Sequence, residues 1–197
     1  MLAHGCWLDD SEIRVLAERG NIGVIHNPTS NMKLASGVAP IEKLLAAGVP
    51  VGLGTDGEKE NNNLDMLEEM KIASLLTKLH TMNAAALDAW DVCRMATIGG
   101  ARTLGLADEI GSLEQGKAAD MIAVRTNTPR MTPLLTGKYL NIHHNLVHAV
   151  QGGDVDMTMV AGKIVVEDGC LKTASLQSLI ADANAAVPGL FQRREAW

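Results

Sequence analysis

The sequence predicts an α/β fold followed by a smaller β-rich unit, and three observations carry that expectation. Short apolar runs alternate with helical patterns over the first hundred residues, the order that gives a parallel sheet covered by helices. The polar residues of that half collect where the apolar runs end, the side on which such folds keep their chemistry. After about residue 105 the helical periodicity gives way to short β-rich runs punctuated by Gly111, Gly116, Gly152, Gly153, Gly162 and Gly169.

The elements follow in order. Leu2 and Ala3 read as the end of a strand that stops at His4. A helix is expected from about Ser11 to Arg19, with Asp9 and Glu12 spaced as a capping box and Gly20 as the stop. Ile13, Leu16 and Ala17 form its buried face. The next strand, Ile22 to His26, breaks at Asn27 and Pro28, because proline lacks a ladder donor and restricts the residue before it. A polar loop from Thr29 to Gly37 then leads to a helix over Ile41 to Ala47, closed by Gly48. The strand Val51 to Leu53 runs into Gly54, Thr55, Asp56 and Gly57. A long helix from about Leu64 to Leu79, capped by Asn63, carries Met66, Met70, Ala73, Leu76 and Leu79 on one stripe. Helical stretches are expected again at about Ala85 to Ala96 and Gly99 to Leu104. Strands are expected at Asp120 to Val124, Val147 to Val150, Asp156 to Val160 and Lys163 to Glu167, the last two joined by a hairpin turn at Ala161 and Gly162. A final helix, about Ser175 to Ala186, should end at Pro188 and Gly189, with a surface tail from Phe191 to Trp197.

Composition narrows the function classes. With one Phe, one Tyr and three Trp, the core must be built from Ala, Leu, Ile, Val and Met. A net charge of −6 argues against nucleic acid as a partner, since that binding needs a basic surface. No apolar run approaches the roughly 20 residues of a membrane span, and the N-terminus has no signal-peptide pattern. A cytoplasmic protein without membrane contact is the expectation. Cys6, Cys93 and Cys170 are odd in number and widely spaced, which fits buried or half-buried thiols rather than a disulfide framework.

Asp56 is the leading candidate for chemistry. A carboxylate between a strand end and a glycine can bind a metal or act as a base; it can equally be a turn aspartate bonded to its own backbone. His4 and His26 both end strands and carry the same two readings. Asn27, Ser30 and Asn31 form a polar group at the same strand-end face, fit to contact a substrate or simply to satisfy a turn. His143, His144 and His148 would be ligand-compatible only on a helix, and with a strand expected there they are read as structural or surface groups. The asparagines at 61, 62 and 63 read as a capping loop, and Glu68, Glu69, Asp108 and Glu109 as solvated charges.

Taken together these runs are more specific than any one of them. "AHGCWLDDSEIRVLAERG", "HNPTSNMKLASGVAPIEKLLAAGV" and "VGLGTDG" resemble the last strands of an amidohydrolase-superfamily barrel. The subgroup they resemble holds the 5'-methylthioadenosine/S-adenosylhomocysteine deaminases and the chlorotriazine hydrolases. "NNNLDMLEEMKIASLL", "ATIGGARTLGL", "EIGSLEQGKAADMIAV" and "TMVAGKIVVEDG" continue the resemblance in one register. It implies the C-terminal part of a (β/α)8 metal-dependent hydrolase barrel (residues 1–105), a partial β-sandwich domain (106–172) and a C-terminal helix and tail (173–197).

The resemblance also implies a chemistry. One divalent metal, zinc or alternatively iron, would take Asp56 as a ligand and activate a water for attack on the amine-bearing carbon of an adenosine analogue. Asp56 would accept the water's proton, and His4 would hydrogen-bond the water from the second shell. S-adenosylhomocysteine or 5'-methylthioadenosine would be converted to the inosine analogue and ammonia. A guanine, cytosine or chlorotriazine substrate is the close alternative, and Trp7 and the run Glu58, Lys59 and Glu60 depart from relatives near the substrate side. A non-catalytic piece that needs a partner is the other.

The family's His-x-His pair, and its middle-strand histidine followed three residues later by glutamate, have no counterpart in the sequence. The chain is therefore expected to be a truncation that ends naturally at Trp197, with an incomplete metal site and no activity alone. The full-length parent is expected to be a homo-oligomer. Three barrel strands alone would expose apolar edges.

Overall fold

The computed structural model describes residues 1–195; the last two residues, and with them the expected natural terminus at Trp197, lie outside the described residues. Strands β1 (Leu2–Ala3), β2 (Val24–His26) and β3 (Val51–Leu53) form a three-stranded parallel sheet in the order β1-β2-β3. Leu2 pairs with Val24 and Val24 with Val51, so the three strands end almost level. Helix α1 (Asp10–Arg19) links β1 to β2. Its capping box is complete, with Asp9 Oδ1 accepting from Ser11 N at 2.8 Å and Glu12 N at 2.9 Å, and Glu12 Oε2 accepting from Asp9 N. Ile13 and Leu16 are buried, as their spacing predicts.

The expected loop after β2 is instead a helix, α2 (Pro28–Lys33). Pro28 takes its first position, where a missing N–H costs nothing and φ is already helical. Helix α3 (Ile41–Ala46) precedes β3, and a short helix, α4 (Glu58–Asn61), follows Asp56 where no element was expected. Helix α5 (Met66–Thr81) starts two residues later than predicted. Its cap is Asp65, whose Oδ1 accepts from Leu67 N and Glu68 N, rather than Asn63. The buried stripe of α5 runs through Leu67, Glu69, Met70, Ala73, Ser74 and Thr77, while Leu79 is exposed. Glu69 is thus in the core, 1% exposed, and not the solvated charge that its charged neighbour Glu68 suggests.

Helix α6 (Ala89–Arg94) runs through a π-helical turn, Met95–Gly99, into α7 (Gly100–Leu104). Thr97 breaks the helical geometry and returns its hydroxyl to Cys93 O at 2.7 Å. This kinked segment lies against the parallel sheet at glycines. A Cβ on Gly52 would stand 2.8 Å from the Cα of Gly100, and one on Gly23 would stand 2.7 Å from Thr103 Oγ1.

Strands β4 (Met121–Val124), β5 (Val155–Val160), β6 (Lys163–Glu167) and β7 (Cys170–Leu171) form one antiparallel sheet in the order β4-β5-β6-β7. Ala161 and Gly162 make the expected hairpin turn, both at positive φ. Where a strand was expected at Val147 to Val150, helix α8 (Ile142–His148) ends instead, and it packs on α5 and α6. Val147 on the helix and Val150 just past its end are both buried. Helix α9 (Leu176–Glu195) continues through Pro188, beyond the stop predicted there. It is exposed around Pro188, so water can take up the carbonyl that proline leaves without a donor. Cys170 is exposed rather than half-buried, while Cys6 and Cys93 are intermediate. No helix of the described residues is long and apolar enough to cross a membrane.

The main core joins Val24, Ile41, Leu44 and Val51 to Met70, Ala73, Val92, Met95 and Val147. A Gly52→Ala substitution pushes a methyl group against the Gly100 backbone where the kinked segment meets the sheet. It is expected to destabilise the chain by about 1–3 kcal/mol, the usual cost of overpacking. Urea unfolding midpoints measure this; an unchanged midpoint would mean that the kinked segment is free to shift off the sheet.

Candidate active site

The level ends of β1, β2 and β3 bring His4, His26 with Asn27, and the residues before Asp56 side by side. His4 and Asp56 both leave the sheet in the left-handed backbone region, at φ 65° and 61°. Aspartate tolerates that conformation better than most residues, and held strain of this kind clusters at functional positions. The side chain of Asp56 is fixed from two directions. Ser30 Oγ donates to Oδ2 at 2.6 Å, and Gly57 N donates to Oδ1 at 2.9 Å. The Ser30 hydroxyl, with the Gly57 amide and the nearby His4, holds the Asp56 carboxyl below the usual carboxylate range, against a smaller opposing effect of burial. The group is therefore ionised at neutral pH.

His4 faces it. Nδ1 lies 2.8 Å from Asn31 Oδ1, within hydrogen-bond distance. Nε2 faces Asp56 Oδ2, 3.7 Å away. Asn27 Nδ2 is 3.5 Å from Nδ1, a much longer approach. Ser30 and Asn31 are each 1% exposed and Asn27 is 4% exposed. Their polar groups thus point at His4 and Asp56 from behind, not into open solvent. The His4 and Asp56 side chains remain 39% and 29% exposed. They open into a cleft of about 500 Å3 that is also lined by Cys6, Trp7, Leu8 and Leu34. Trp7 is 86% exposed there.

The remaining histidines stand apart from this group or behind it. His26 is fully buried and neither ring nitrogen has a hydrogen-bond partner. His143 stacks on Trp90 with ring centroids 4.6 Å apart, and His144 and His148 share the helical α8. Among the described residues no three His, Cys, Asp or Glu side chains are placed to share an ion. Asp56 supplies one well-oriented carboxylate with His4 beside it, which fits part of a metal site that ordinarily takes three protein groups.

Two residues absent from the sequence-based site belong to its surroundings. Asn61 Nδ2 donates to Glu69 Oε1 at 2.6 Å, and the Thr29 amide approaches Glu69 Oε2 at 3.3 Å. The position of Glu69 on the buried stripe of α5, next to Met70 and four residues before Ala73, is the signal that could have found it.

The model of the amidohydrolase family matches residues 1–165. The chain belongs to the amidohydrolase family. This amidohydrolase is 49% identical over 168 residues to the 5-methylthioadenosine/S-adenosylhomocysteine deaminase of Thermococcus onnurineus (strain NA1), covering 85% of this chain and 38% of that one. Among solved structures it resembles an adenosine deaminase from Xanthomonas campestris with bound zinc, with a TM-score of 0.87 and 39% identity over 93% of this chain and 40% of that one. It also resembles an atrazine chlorohydrolase from Arthrobacter aurescens TC1 complexed with zinc, at a TM-score of 0.81 and 29% identity, with the same coverage. The chain spans about two fifths of the length of these relatives.

Burial pushes the His26 pKa down from 6.5 to about 4, with nearby His4 adding to the shift. Between those values the unfolded ring binds a proton that the folded ring refuses, so this group makes stability rise with pH through that window. His26→Leu removes the effect and the two unpaired nitrogens with it. The variant's stability is expected to fall less steeply than the wild type's from pH 6.5 to 4, as read by urea midpoints. Equal slopes would show that His26 is not held neutral.

Proposed function

We propose that this chain is the C-terminal part of a metal-dependent deaminase that hydrolyses an adenosine analogue, S-adenosylhomocysteine or 5'-methylthioadenosine, to the inosine analogue and ammonia. In this reading β1, β2 and β3 are the last three strands of a (β/α)8 barrel within residues 1–105. Residues 106–172 belong to a β-sandwich, and 173–197 form the terminal helix and tail. The observation that carries the reading is the pairing of Asp56 with His4, held by Ser30 and Asn31 at adjoining strand ends. The names of the deaminase relatives support the substrate class.

Asp56 would be one metal ligand, and the remaining ligands are outside this chain's own set. Zinc, with iron as the alternative, would lower the pKa of a bound water to about 7. The chain's own groups handle protons. Asp56, kept ionised by the Ser30 hydroxyl and the Gly57 amide, accepts a proton at its carboxylate. His4, held at Nδ1 by Asn31, presents Nε2 to the same space and can exchange a proton or hold a water in line there. Overall one C–N bond is exchanged for a C–O bond and the amine departs as ammonia. Behind the pair, Asn27, Ser30 and Asn31 orient it. A substrate group that reaches this depth would meet them last.

A chlorinated triazine is the second reading, favoured by the likeness to the atrazine chlorohydrolase. A guanine or cytosine substrate uses the same chemistry. A non-catalytic piece that needs a partner is a third reading, which the outer edges of β1 and β3 in the three-stranded sheet favour. The full-length parent is expected to be a homo-oligomer in the cytoplasm.

The test is metal content and ammonia release with both adenosine analogues and a chlorotriazine, on this chain and on the full-length parent. This chain alone is expected to hold well under one zinc and to release no ammonia. In the parent, Asp56→Asn is expected to lower kcat about 1,000-fold and His4→Gln about 100-fold. Turnover by this chain alone would reject the incomplete site, and a parent that keeps its rate with Asp56→Asn would reject the assignment of Asp56.

A further inference from the structure

Glu69 and Asp154 are the two acidic side chains buried among the described residues. Asp154 is paired with Arg130 at 3.1 Å, whereas Glu69 has no cation within ion-pair distance. Burial pushes its carboxyl above the usual range, with hydrogen bonds from Thr29 and Asn61 opposing that shift. A carboxylate taken out of water without a cation is costly. An apolar side chain on this stripe of α5 would pack against the same core at lower cost. The donors Glu69 engages indicate what it is kept for.

Its two oxygens hold the two chain segments that fix Asp56. The Thr29 amide, at Oε2, lies immediately before Ser30, whose hydroxyl donates to Asp56 Oδ2. Asn61, at Oε1, ends α4, the helix that begins directly after Gly57, and the Gly57 amide donates to Asp56 Oδ1. The Asn61 amide cannot turn over, because its Oδ1 already accepts from Asn63 N at 3.2 Å and Leu64 N at 2.9 Å. Its NH2 must face Glu69. Both oxygens of Glu69 are therefore required as acceptors at once.

We propose that Glu69 is a positioning residue that clamps the Ser30 and Gly57 segments around Asp56 and so sets the direction of its carboxylate. This rests on the reading of Asp56 and His4 as the reacting pair. Its geometric part, the clamp itself, stands on the contacts alone.

The experiment uses a polarity swap. Glu69→Gln keeps the volume but turns one acceptor into a donor, which then faces either Asn61 Nδ2 or the Thr29 amide. Adding Asn61→Asp restores complementarity, since an aspartate at 61 can accept from the glutamine NH2 while still accepting from the 63 and 64 amides. In this chain, Glu69→Gln is expected to speed hydrogen exchange at the Thr29 and Gly57 amides about tenfold, with β4, β5 and β6 unchanged. The double variant is expected to return them to within about threefold of wild type. In the full-length parent the single variant should lower kcat about tenfold with KM unchanged, and the double variant should recover most of the loss.

Exchange at Thr29 and Gly57 that Glu69→Gln leaves untouched would overturn the clamp. So would a loss of protection spread evenly over the chain, or a double variant no better than the single. A restored clamp alongside a parent whose kcat never changed would overturn the positioning role alone. Failure of the deaminase reading appears separately, as a parent indifferent to Asp56→Asn.

Discussion

Each strand of the parallel sheet is only two or three residues long, so the register between them decides everything at their ends. Because Leu2, Val24 and Val51 lie in one row, the residues that follow emerge at one level. A slip of one residue would turn every side chain to the opposite face. His4 would then no longer meet Asn31, and Ser30 would no longer reach Asp56. The register is itself held by side chains of unequal size on the two faces. Val24, Val51 and Leu53 are packed under α1, α3 and α5, while the glycines at 23 and 52 admit the kinked segment on the other side.

Much of this was legible in the sequence where a local signal and the tertiary environment agree. Asp9 and Glu12 form the box their spacing announces, Val51 to Leu53 is the strand its residues suggest, and Ala161 with Gly162 turns the hairpin. Candidate residues 4, 27, 30, 31 and 56 converge on one place because strand ends are recognisable from apolar runs that stop at polar residues or proline. The misreadings share a physical cause. Pro28 breaks the strand and the polar run from Thr29 suggests a loop, although proline that ends a strand can equally begin a helix. Val147 suits a strand by type, yet it is buried on a helix packing on two others. Pro188 stops a helix whose carbonyls must be satisfied internally, and α9 is too exposed for that requirement to bind.

The site itself was only half visible for a different reason. Single residues advertise themselves by type, whereas the network behind them depends on which polar atoms face one another. Asn31 holds the His4 ring at Nδ1 and Ser30 depresses the Asp56 pKa, and neither relation follows from spacing along the chain. Glu69 was hidden by its neighbour, since a pair of glutamates on a helix usually means water. Here one of the two faces solvent and the other the core.

Asp65 carries a consequence for how the chain is assembled. One of its oxygens caps α5 through the Leu67 and Glu68 amides, and the other accepts from the Gly152 amide at 2.8 Å, 87 residues along the chain. Synthesis delivers the cap first. Helix α5 can therefore close its leading turn and fold against β3 long before the ribosome has made residue 152. The antiparallel sheet arrives later at a helix end already shaped to receive it, so that docking, rather than helix formation, is the step that has to wait for the distant partner.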